Sequence, residues 1–308
     1  MADSRILKIP PEMAGQRLDA SLAILLSDYS RSRLQTWIRE GLVSHDGRVM
    51  LDPKTRLNGG EQLCVQVAPP PEALADAPED IPLEVVFEDD QILVINKPAG
   101  LVVHPGSGNW SGTLLNGLLA HAPSLAEIPR AGIVHRLDKD TSGLMVVAKT
   151  LVSQTDLVRQ LQARTVKRHY AAVVLGFPPE RGTIDQPLDR HPTLRTRMSV
   201  IAGGREARTH FHLVERLHGA SWVECVLDTG RTHQIRVHMA HLGHPLIGDP
   251  VYGSRRQLAA AEGFNRQALH AFQLGLRHPQ TGRDMLWQVP LAEDLLELIA
   301  ALREGVER

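Results

Sequence analysis

The stretch GIVHRLDKDTSGLMVVAK, residues 132–149, places a polar segment with two aspartates between two apolar runs. The second run, GLMVVAK, indicates a strand. Asp140 opens the sequence Asp-Thr-Ser-Gly, which has Asp at the first and Gly at the last position of a type I turn. We therefore expect the Asp140 carboxylate to accept backbone donors of its own turn.

Asp138 has no such role in a turn, because it follows VHRL at the end of an apparent strand. A free aspartate has a pKa of about 3.9 and is an anion at neutral pH, so it can act as a nucleophile or a base where a cation holds it. Arg136, two residues earlier, is one candidate for that cation. The local sequence leaves two interpretations open, a catalytic carboxylate and one half of a surface ion pair.

Further strand-like runs lie on both sides of this stretch: LEVVFED, QILVINK, HYAAVVLG, THFHLVERL and SWVECVLD. Helical patterns occur in TLLNGLLAHA and in LAEDLLELIAALREG near the end of the chain. Strands and helices do not alternate regularly, and hairpin-length spacings are frequent. This predicts an α+β fold with a mixed, mainly antiparallel central sheet and flanking helices, rather than a doubly wound sheet.

A domain boundary is predicted at APPPEALADAPEDIP, residues 68–82, which carries five prolines and four acidic residues and no basic one. Proline removes backbone donors and like charges repel, so this segment is expected to be an extended tether. The sequence thus predicts an N-terminal domain at residues 1–68, with its core at about 15–68, a linker at 69–82 and a main domain at 83–308.

The N-terminal domain is predicted to contain two short helices followed by a small sheet. RLDASLAILL and SRSRLQTWIREGLV have leucines and other apolar residues at helical spacing, with Ser30 as N-cap and Gly41 as the stop of the second helix. Asp46-Gly47 indicates a hairpin turn, and EQLCVQV alternates as a strand. Arg31, Arg33 and Arg39 lie off the apolar stripe of the second helix, where they either contact phosphates or stay in water.

Composition narrows the class of protein. The chain has 308 residues, a net charge of -1, and only two cysteines, Cys64 and Cys225, which excludes a disulfide framework and a thiolate metal cluster. No apolar run approaches the roughly 20 residues needed to cross a bilayer, and no secretory signal opens the chain, so we expect a cytoplasmic protein without a membrane partner. GxGxxG, the Walker-type P-loop and GxSxG are absent, so no nucleotide cofactor is expected.

Charge is nevertheless unevenly distributed. Residues 159–208 hold ten Lys or Arg against four acidic residues, a pattern found on solvated faces and, less often, on nucleic-acid interfaces. Tyr170 lies between TVKRH and an apolar run, where its ring either stacks on a base or belongs to the core.

A histidine-rich segment, DTGRTHQIRVHMAHLGHPLIGDPVYG at residues 228–253, raises the possibility of zinc. Its spacing does not match HExxH, and no acidic residue lies between Asp228 and Asp249, so no metal site is predicted. A helix that lines a nucleic-acid groove, or buried hydrogen-bonded histidines, are the favoured interpretations. Arg231, which follows the turn-like Asp-Thr-Gly, is the candidate for a buried cation that faces a carboxylate.

These segments, with LVVHPGSGN, PRAGIVHRLDKDTSGLMVVAKT and RHPTLRTRMSV, resemble the RluA-type pseudouridine synthases over nearly the whole chain. The N-terminal domain is similar to the small α/β RNA-binding domain of ribosomal protein S-four. Within the family, the likeness is closest to two-domain members that act on large-subunit rRNA. The resemblance implies the pseudouridine synthase catalytic fold and a reaction that needs no metal or organic cofactor.

The resemblance also assigns residues to functions. It implies that Asp138 is the catalytic aspartate, that Arg231 holds it, that Arg136 takes the place of the target nucleotide in the RNA, and that Tyr170 packs on the target base. RNA contacts are further predicted for Arg31, Arg33, Arg39, His135, Lys167 and Arg168.

The implied substrate is a uridine in large-subunit (23S) rRNA, as naked rRNA or in a pre-ribosomal large subunit, and the implied site is an intersubunit stem-loop of domain IV. We expect a monomer that supports ribosome assembly. Two other classes are weighed against this one, a non-catalytic RNA-binding or ribosome-assembly factor on the same scaffold and a histidine-rich metal-dependent hydrolase.

Overall fold

The structure is a computed structural model that describes residues 3–67, 75–106, 108–254 and 258–305. The chain divides into two compact units, Met1–Leu74 and Ala75–Arg308. Within the described ranges, no helix is both long and apolar enough to cross a lipid bilayer.

The first unit packs two helices against a four-stranded antiparallel sheet of order β1-β4-β2-β3. Its elements are β1 (Asp3–Lys8), α1 (Leu18–Leu25), α2 (Arg31–Arg39), β2 (Val43–His45), β3 (Arg48–Val49) and β4 (Gln62–Val67). The predicted helices, the turn at Asp46-Gly47 and the strand EQLCVQV are confirmed. Ser30 caps α2 by accepting a hydrogen bond from the backbone N–H of Arg33, and Gly41 follows the helix with φ +78°.

The second unit is built on a nine-stranded sheet. Its elements are β5 (Glu84–Glu88), β6 (Ile92–Lys97), α3 (Leu114–His121), β7 (Ser142–Ala148), α4 (Leu151–Gln162), β8 (Lys167–Leu175), β9 (Arg181–Asp185), β10 (Leu188–Arg190), β11 (Met198–Val200), β12 (Arg208–Leu217), β13 (Ala220–Leu227), α5 (Gln234–His241), β14 (Leu269–Arg277), β15 (Asp284–Gln288) and α6 (Glu293–Glu304). All six runs predicted to be strands are strands.

The sheet order is β5-β6-β7-β14-β8-β13-β12-β9, with β15 also paired to β14, while β10 and β11 form a separate ribbon. Of the pairings between described strands, β7 with β14 is parallel and the others are antiparallel. The predicted α+β class with a mixed, mainly antiparallel sheet is confirmed.

Helices cover both faces of the large sheet. Apolar residues of α3 and α5 pack on one face, and those of α4 and α6 pack on the other. Every residue of β7 is buried. Burial on both faces explains why GLMVVA is a continuous apolar run, since a strand with one wet face would alternate.

The predicted linker differs from the expectation where it is described. Residues 69–74 lie outside the described part of the chain, whereas residues 75–82 pack against the start of α3. The Asn116 side-chain amide donates to the carbonyl oxygens of Ala75 and Ala77, and the Glu79 carboxylate accepts from the backbone N–H of Gly112 at 3.0 and 3.1 Å. The expectation of a tether with no packing is therefore wrong for residues 75–82, because their carbonyls and the Glu79 carboxylate find donors on the second unit.

The order of strands brings three segments that are distant in sequence to the same end of the sheet. Because β7 and β14 are parallel, the residues that precede these two strands lie at that end. Because β6 is antiparallel to β7, its last residue, Lys97, pairs with Gly143 near the start of β7. The polar segment around Asp138 therefore lies between the end of β6 and the segment that enters β14.

Candidate active site

Asp138 begins the turn that leads into β7. The backbone N–H of Thr141 donates to the Asp138 carbonyl at 3.1 Å, which closes a turn over residues 138–141. Two expectations are corrected here. The turn begins at Asp138 and not at Asp140, and the residues before Asp138 are not a strand, since only Ile133 forms an isolated bridge, to Val147.

Gly143 explains why the turn ends earlier than expected. Gly143 has φ +117°, and a Cβ there would lie 2.2 Å from the Ala271 carbonyl oxygen. Ser142 and Gly143 pair with β14 and so belong to the strand. The Asp140 side chain accepts no hydrogen bond from the described residues, so the role predicted for it in the turn is wrong.

Two buried cations hold the central carbonyls of this turn. The Lys97 ammonium donates to the carbonyl oxygens of Lys139 at 2.9 Å, Pro98 at 2.7 Å and Leu101 at 2.9 Å. Arg266 Nη1 donates to the Asp140 carbonyl at 3.1 Å, and its Nε and Nη2 donate to the Asp294 carboxylate of α6. The backbone next to Asp138 is thereby fixed from both sides.

Lys97 is a titratable group with almost no access to water. Only 1% of its surface is exposed. Burial lowers its pKa to about 7, although the carboxylates of Asp140 and Asp138 oppose the shift. In the unfolded chain the same ammonium keeps its ordinary pKa near 10.4.

This difference predicts how stability depends on pH. Between pH 7 and about 10 the unfolded state binds more protons at Lys97 than the folded state does, so the free energy of unfolding rises with pH across that window. Relative to a Lys97→Met variant, the rise should be roughly 3–6 kcal/mol in total, measured by urea unfolding at a series of pH values. Lys139→Met, which removes an exposed lysine of the same turn, is the matched control. If the difference in unfolding free energy between wild type and Lys97→Met did not change with pH, Lys97 would titrate as it does in water.

The Asp138 carboxylate faces the helix α5. Arg236 Nη1 donates to Asp138 Oδ2 at 2.9 Å, while Nε and Nη2 donate to the two oxygens of Asp249 at 2.7 and 2.9 Å. The Asp249 side chain is fully buried and that of Arg236 is 5% exposed, whereas that of Asp138 is 16% exposed. One guanidinium therefore joins a wholly buried carboxylate to one that reaches the solvent.

The charges of this triad support each other. Burial alone would lower the pKa of Arg236, but the hydrogen bonds and charge of Asp249, together with Asp138, raise it. Burial alone would raise the pKa of Asp249, but Arg236 and the backbone N–H groups of Tyr252 and Val251 hold it below the ordinary value. Arg236 is thus a permanent cation at the base of the site.

Arg231 is not the partner of Asp138, which corrects the assignment implied by the resemblance. Arg231 is exposed, and its Nε donates to the Glu206 carbonyl at 3.0 Å. It precedes α5, and Arg236 lies within that helix, on the side that faces the turn of Asp138. The residue that the sequence analysis missed is therefore five positions further along the same motif.

His233 and Tyr252 complete the surroundings of Asp138. His233 Nε2 lies 4.0 Å from Asp138 Oδ1, and its Nδ1 is hydrogen-bonded to the Tyr252 hydroxyl at 2.8 Å. The Tyr252 ring packs against Arg236, with the guanidinium carbon 5.1 Å from the ring centroid. Burial lowers the pKa of His233, with Asp138 opposing the shift, so the imidazole is neutral at pH 7.

A pocket of about 520 Å³ opens above the carboxylate. The predicted site residues Asp138, Arg136, Tyr170 and Arg231 all line it, as does Arg236. Tyr170 is 5% exposed, and its hydroxyl forms no hydrogen bond with the described residues. Arg136 is exposed and forms no ion pair or hydrogen bond within the described part of the chain. The pocket thus combines the Asp138 carboxylate, an aromatic wall and the guanidinium of Arg136; Asp228 also lines it.

Two further predicted RNA contacts, Arg168 and His135, also line this pocket. Arg168 is only 7% exposed, so it belongs to the wall and not to an outer basic surface. His135 Nε2 accepts the backbone N–H of Val146 at 3.0 Å, and burial, followed by the charge of Arg168, lowers the pKa of His135 to about 3. His135 is a neutral ring at physiological pH, so any contact it makes with RNA is not an ion pair. Lys167 is exposed, and its role in binding RNA stays a prediction.

The three predicted arginines of the first unit have different surroundings. Arg31 donates twice to the buried carboxylate of Asp19, at 3.1 and 3.2 Å. Arg33 packs on the rings of Tyr29 and Trp37, at 5.7 and 5.2 Å from the centroids. Arg39 is exposed at the end of α2 and forms no ion pair with a described residue. Arg39 therefore has the freest charge of the three, and all three RNA contacts stay predictions.

Three of the four histidines in residues 228–253, His233, His238 and His244, are hydrogen-bonded within the fold, and His241 is exposed. His238 is fully buried between the Thr209 hydroxyl and the Gln186 carbonyl, and His244 Nδ1 donates to the Leu175 carbonyl. In the described ranges, no group of three or more His, Cys, Asp or Glu side chains is arranged to hold a metal ion. The favoured interpretation of buried, hydrogen-bonded histidines is confirmed for His238.

Comparisons with known proteins identify the family of this chain. Residues 91–241 match the family model described as RNA pseudouridylate synthase, and residues 16–63 match that of the S4 domain. Ribosomal large subunit pseudouridine synthase D of Neisseria meningitidis is 54% identical over 305 residues, which cover 96% of this chain and 81% of that protein. The protein of the same name from Nitrosomonas europaea is 52% identical over 301 residues, which cover 96% of this chain and 87% of that protein.

Solved structures show the same likeness. Human RNA pseudouridylate synthase domain containing 1 matches with a TM-score of 0.55 and 27% identity, over 69% of this chain and 84% of that one. Human RNA pseudouridylate synthase domain containing 4 matches with a TM-score of 0.55 and 25% identity, over 71% of this chain and 93% of that one.

Proposed function

The chain belongs to the RNA pseudouridylate synthase family, and we propose that it isomerises specific uridines of large-subunit rRNA to pseudouridine. The observation that carries the proposal is the contact between Asp138 and the buried Arg236 at the base of a pocket of about 520 Å³. That volume lies within the roughly 300–1,000 Å³ of small-molecule sites, so the pocket can take one extruded nucleotide.

Asp138 is the catalytic residue of this proposal. The reaction breaks the bond between C1′ and N1, turns the uracil and forms a bond between C1′ and C5, and the proton lost from C5 is balanced by one gained at N1. The Asp138 carboxylate can attack the uracil ring, attack the sugar or remove a ribose proton, and each route uses the same anion. In each of them Arg236 orients the carboxylate and Asp249 orients Arg236.

The target uridine must leave the RNA stack before it reaches Asp138, at a cost of a few kcal/mol. Arg136, exposed at the pocket and without a described partner, is the group that replaces it in the stack. Tyr170 in the wall packs against the base, as an aromatic ring does where bases are bound outside a helix. The Asp138 carboxylate can therefore reach the uridine only with the help of a cation that fills the gap in the stack and an aromatic ring that holds the extruded base.

The substrate is proposed to be a stem-loop in domain IV of 23S rRNA, within naked rRNA or a precursor of the large subunit, where modification supports ribosome assembly. The relatives named ribosomal large subunit pseudouridine synthase D support large-subunit rRNA as the substrate, and the stem-loop is what the family resemblance implies. We propose that the protein acts as a cytoplasmic monomer, with no membrane partner and no cofactor.

The S4-like unit is proposed to add affinity through phosphate contacts, which predicts an effect of Arg39. Arg39→Gln should weaken RNA binding and reduce the slope of log K against log salt by about 1, since each phosphate contact releases roughly one counterion. The slope is measured by filter binding from low to moderate salt, with the rate at saturating RNA unchanged. Arg303→Gln, which removes an exposed arginine of α6 paired with Glu215, is the control. An unchanged slope in Arg39→Gln would remove Arg39 from the RNA interface.

The function is tested by mapping pseudouridines in rRNA from cells that lack this gene, with and without a plasmid that supplies it. Loss of defined large-subunit pseudouridines, restored by the wild-type gene and not by Asp138→Asn, is the expected result. The purified protein should form the same pseudouridines in transcribed rRNA or in particles from the deletion strain. An unchanged pattern together with defective subunit assembly would instead identify a non-catalytic assembly factor.

A further inference from the structure

Arg168 is a buried cation in the wall of the proposed uridine pocket. It lies on β8 two residues before Tyr170, so both side chains project from the same face of the strand. Arg168 is 7% exposed and lines the pocket that also holds Asp138. Its position raises the question of what this charge binds.

The protein satisfies little of the hydrogen-bonding capacity of Arg168. A guanidinium carries five N–H donors. Nη2 donates to the Asp228 carbonyl at a long 3.4 Å, and the buried Nε has no acceptor among the described residues. Buried donors are ordinarily paired, and one that is not indicates strain, function or an absent ligand.

No carboxylate of the described chain neutralises this charge. The Asp228 carboxylate, which also lines the pocket, pairs with His210 at 3.2 Å and with Arg208 at 3.7 Å. The positive charge of Arg168 instead affects two neutral neighbours. It adds to the larger effect of burial in lowering the pKa of His135, and it opposes the increase that burial causes in the pKa of Tyr170. Arg168 therefore has donors left for an anion or an oxygen acceptor in the pocket.

Gly230 keeps the guanidinium accessible from the pocket loop. A Cβ at Gly230 would lie 2.6 Å from Arg168 Nη1, although the backbone there is not left-handed. Glycine thus leaves space for the guanidinium, and a larger residue would shift the end of the Arg168 side chain.

We propose that Arg168 is a further catalytic residue, which binds the carbonyl oxygens of the extruded uracil and stabilises the negative charge that the ring acquires during the reaction. This proposal rests on the proposed function. When the C1′–N1 bond breaks, its electron pair stays on the ring and is shared by N1 and the carbonyl oxygens. When C5 bonds to C1′, the ring supplies that pair, then loses the C5 proton and gains one at N1. If Asp138 attacks the ring instead, the added charge again resides on a carbonyl oxygen.

The test compares Arg168→Met with wild type under single-turnover conditions at saturating RNA. Loss of one such donor lowers the rate by about 100- to 1,000-fold, while the Kd for RNA should change less than about twofold. Arg168→Lys keeps the charge and loses the planar fork of donors, so its single-turnover rate should lie between those of wild type and Arg168→Met. Arg283→Met removes an exposed arginine of the β14–β15 hairpin and should match wild type. Circular dichroism and thermal unfolding show whether each variant is folded. If Arg168→Met is not folded, the rate of Arg168→Lys is compared with that of wild type instead.

A second substrate separates charge stabilisation from mere positioning. In RNA with 5-fluorouridine at the target, fluorine withdraws electrons and stabilises the anionic ring, so loss of the target nucleoside should be at least about tenfold less sensitive to Arg168→Met than it is with uridine. Equal losses with both substrates would overturn the catalytic role. A raised Kd with an unchanged rate would identify a phosphate contact and overturn it too. An active wild type with an unaffected Arg168→Met refutes this proposal alone, whereas a wild type that forms no pseudouridine refutes the proposed function and this one with it.

Discussion

Asp138→Asn is expected to lower pseudouridine formation by at least about 1,000-fold while RNA binding is kept, because an amide has neither the charge nor the basicity of a carboxylate. The substitution is nearly isosteric, and an amide oxygen can still accept the hydrogen bond from Arg236 Nη1. Arg236 also keeps its two bonds to Asp249, so the fold should survive. Pseudouridine is measured by mass spectrometry of digested rRNA after reaction with the purified protein, and RNA binding by filter retention.

Asp140→Asn is the matched control, since it removes a carboxylate two residues away in the same turn. The turn is held through the Asp140 carbonyl, which the substitution leaves in place. This variant should keep its rate within a small factor of wild type. If Asp138→Asn retained activity, or if both variants lost it equally, Asp138 would not be the catalytic residue.

Secondary structure followed from the sequence where apolar residues form a long run or a regular alternation. The strands β6, β7, β8 and β13 and the helix α3 are largely buried, whereas β5 and β12 were predicted although much of each strand is half-buried or exposed. The helix α4 and the strands β1, β9, β10, β11, β14 and β15 were missed. In α4 the sequence LVSQTDLVRQLQ buries only Ser153 and Leu157, so its periodicity is weak. In β15, half-buried and exposed residues alternate over five positions, which is too short a signal.

The turn around Asp138 was misplaced because its position depends on a distant strand. Asp-Thr-Ser-Gly satisfies the local rules of a turn, but Ser142 and Gly143 are pulled into β7 by their parallel pairing with β14. That pairing joins residues 128 positions apart, and no local pattern encodes it. The cations that fix the turn are also distant in sequence, Lys97 by 42 positions and Arg266 by 126, and they meet it through the order of strands.

Arg236 was missed in favour of Arg231 because a turn-like sequence drew the assignment to the residue after it. A signal for Arg236 was present. In QIRVHM, the arginine is placed among Ile235, Val237 and Met239, and all of these residues are buried in α5. An arginine within a buried helix needs a carboxylate, and Asp249 supplies one. The sequence alone could not show that the same guanidinium also reaches Asp138.

Arg236→Met is expected to cause the largest loss of stability among the variants considered, about 3–5 kcal/mol in the free energy of unfolding. The substitution leaves the fully buried Asp249 carboxylate without its cation, and it removes the guanidinium that packs on Tyr252. For a unit of this size the loss corresponds to a decrease in Tm of about 10 °C, measured by calorimetry. Activity should fall as well, because Asp138 loses the group that orients it.

The pH dependence of this loss has a definite sign. In wild type, Arg236 holds the pKa of Asp249 below its ordinary value, so the stability gained from the pair is complete above about pH 4 and is lost as the pH falls through the lowered pKa. In Arg236→Met, burial without a cation raises the pKa of Asp249, and protonation relieves the penalty. The difference in unfolding free energy between the two proteins should therefore be largest at neutral pH, begin to shrink as the pH falls through the raised pKa of Asp249 in the variant, and shrink further below about pH 4, where wild type loses the stability of its ion pair.

A double variant separates the structural role of Arg236 from its catalytic one. In Arg236→Met with Asp249→Asn, both buried charges are removed, while the amide oxygen can still accept from the backbone N–H groups of Val251 and Tyr252. Because a buried pair can be replaced by neutral groups at little cost, most of the stability should return. Activity should not return, since Asp138 still lacks its partner. Recovery of both stability and activity would show that Arg236 serves only the fold, and recovery of neither would show that the remaining bonds of Asp249 depend on its charge.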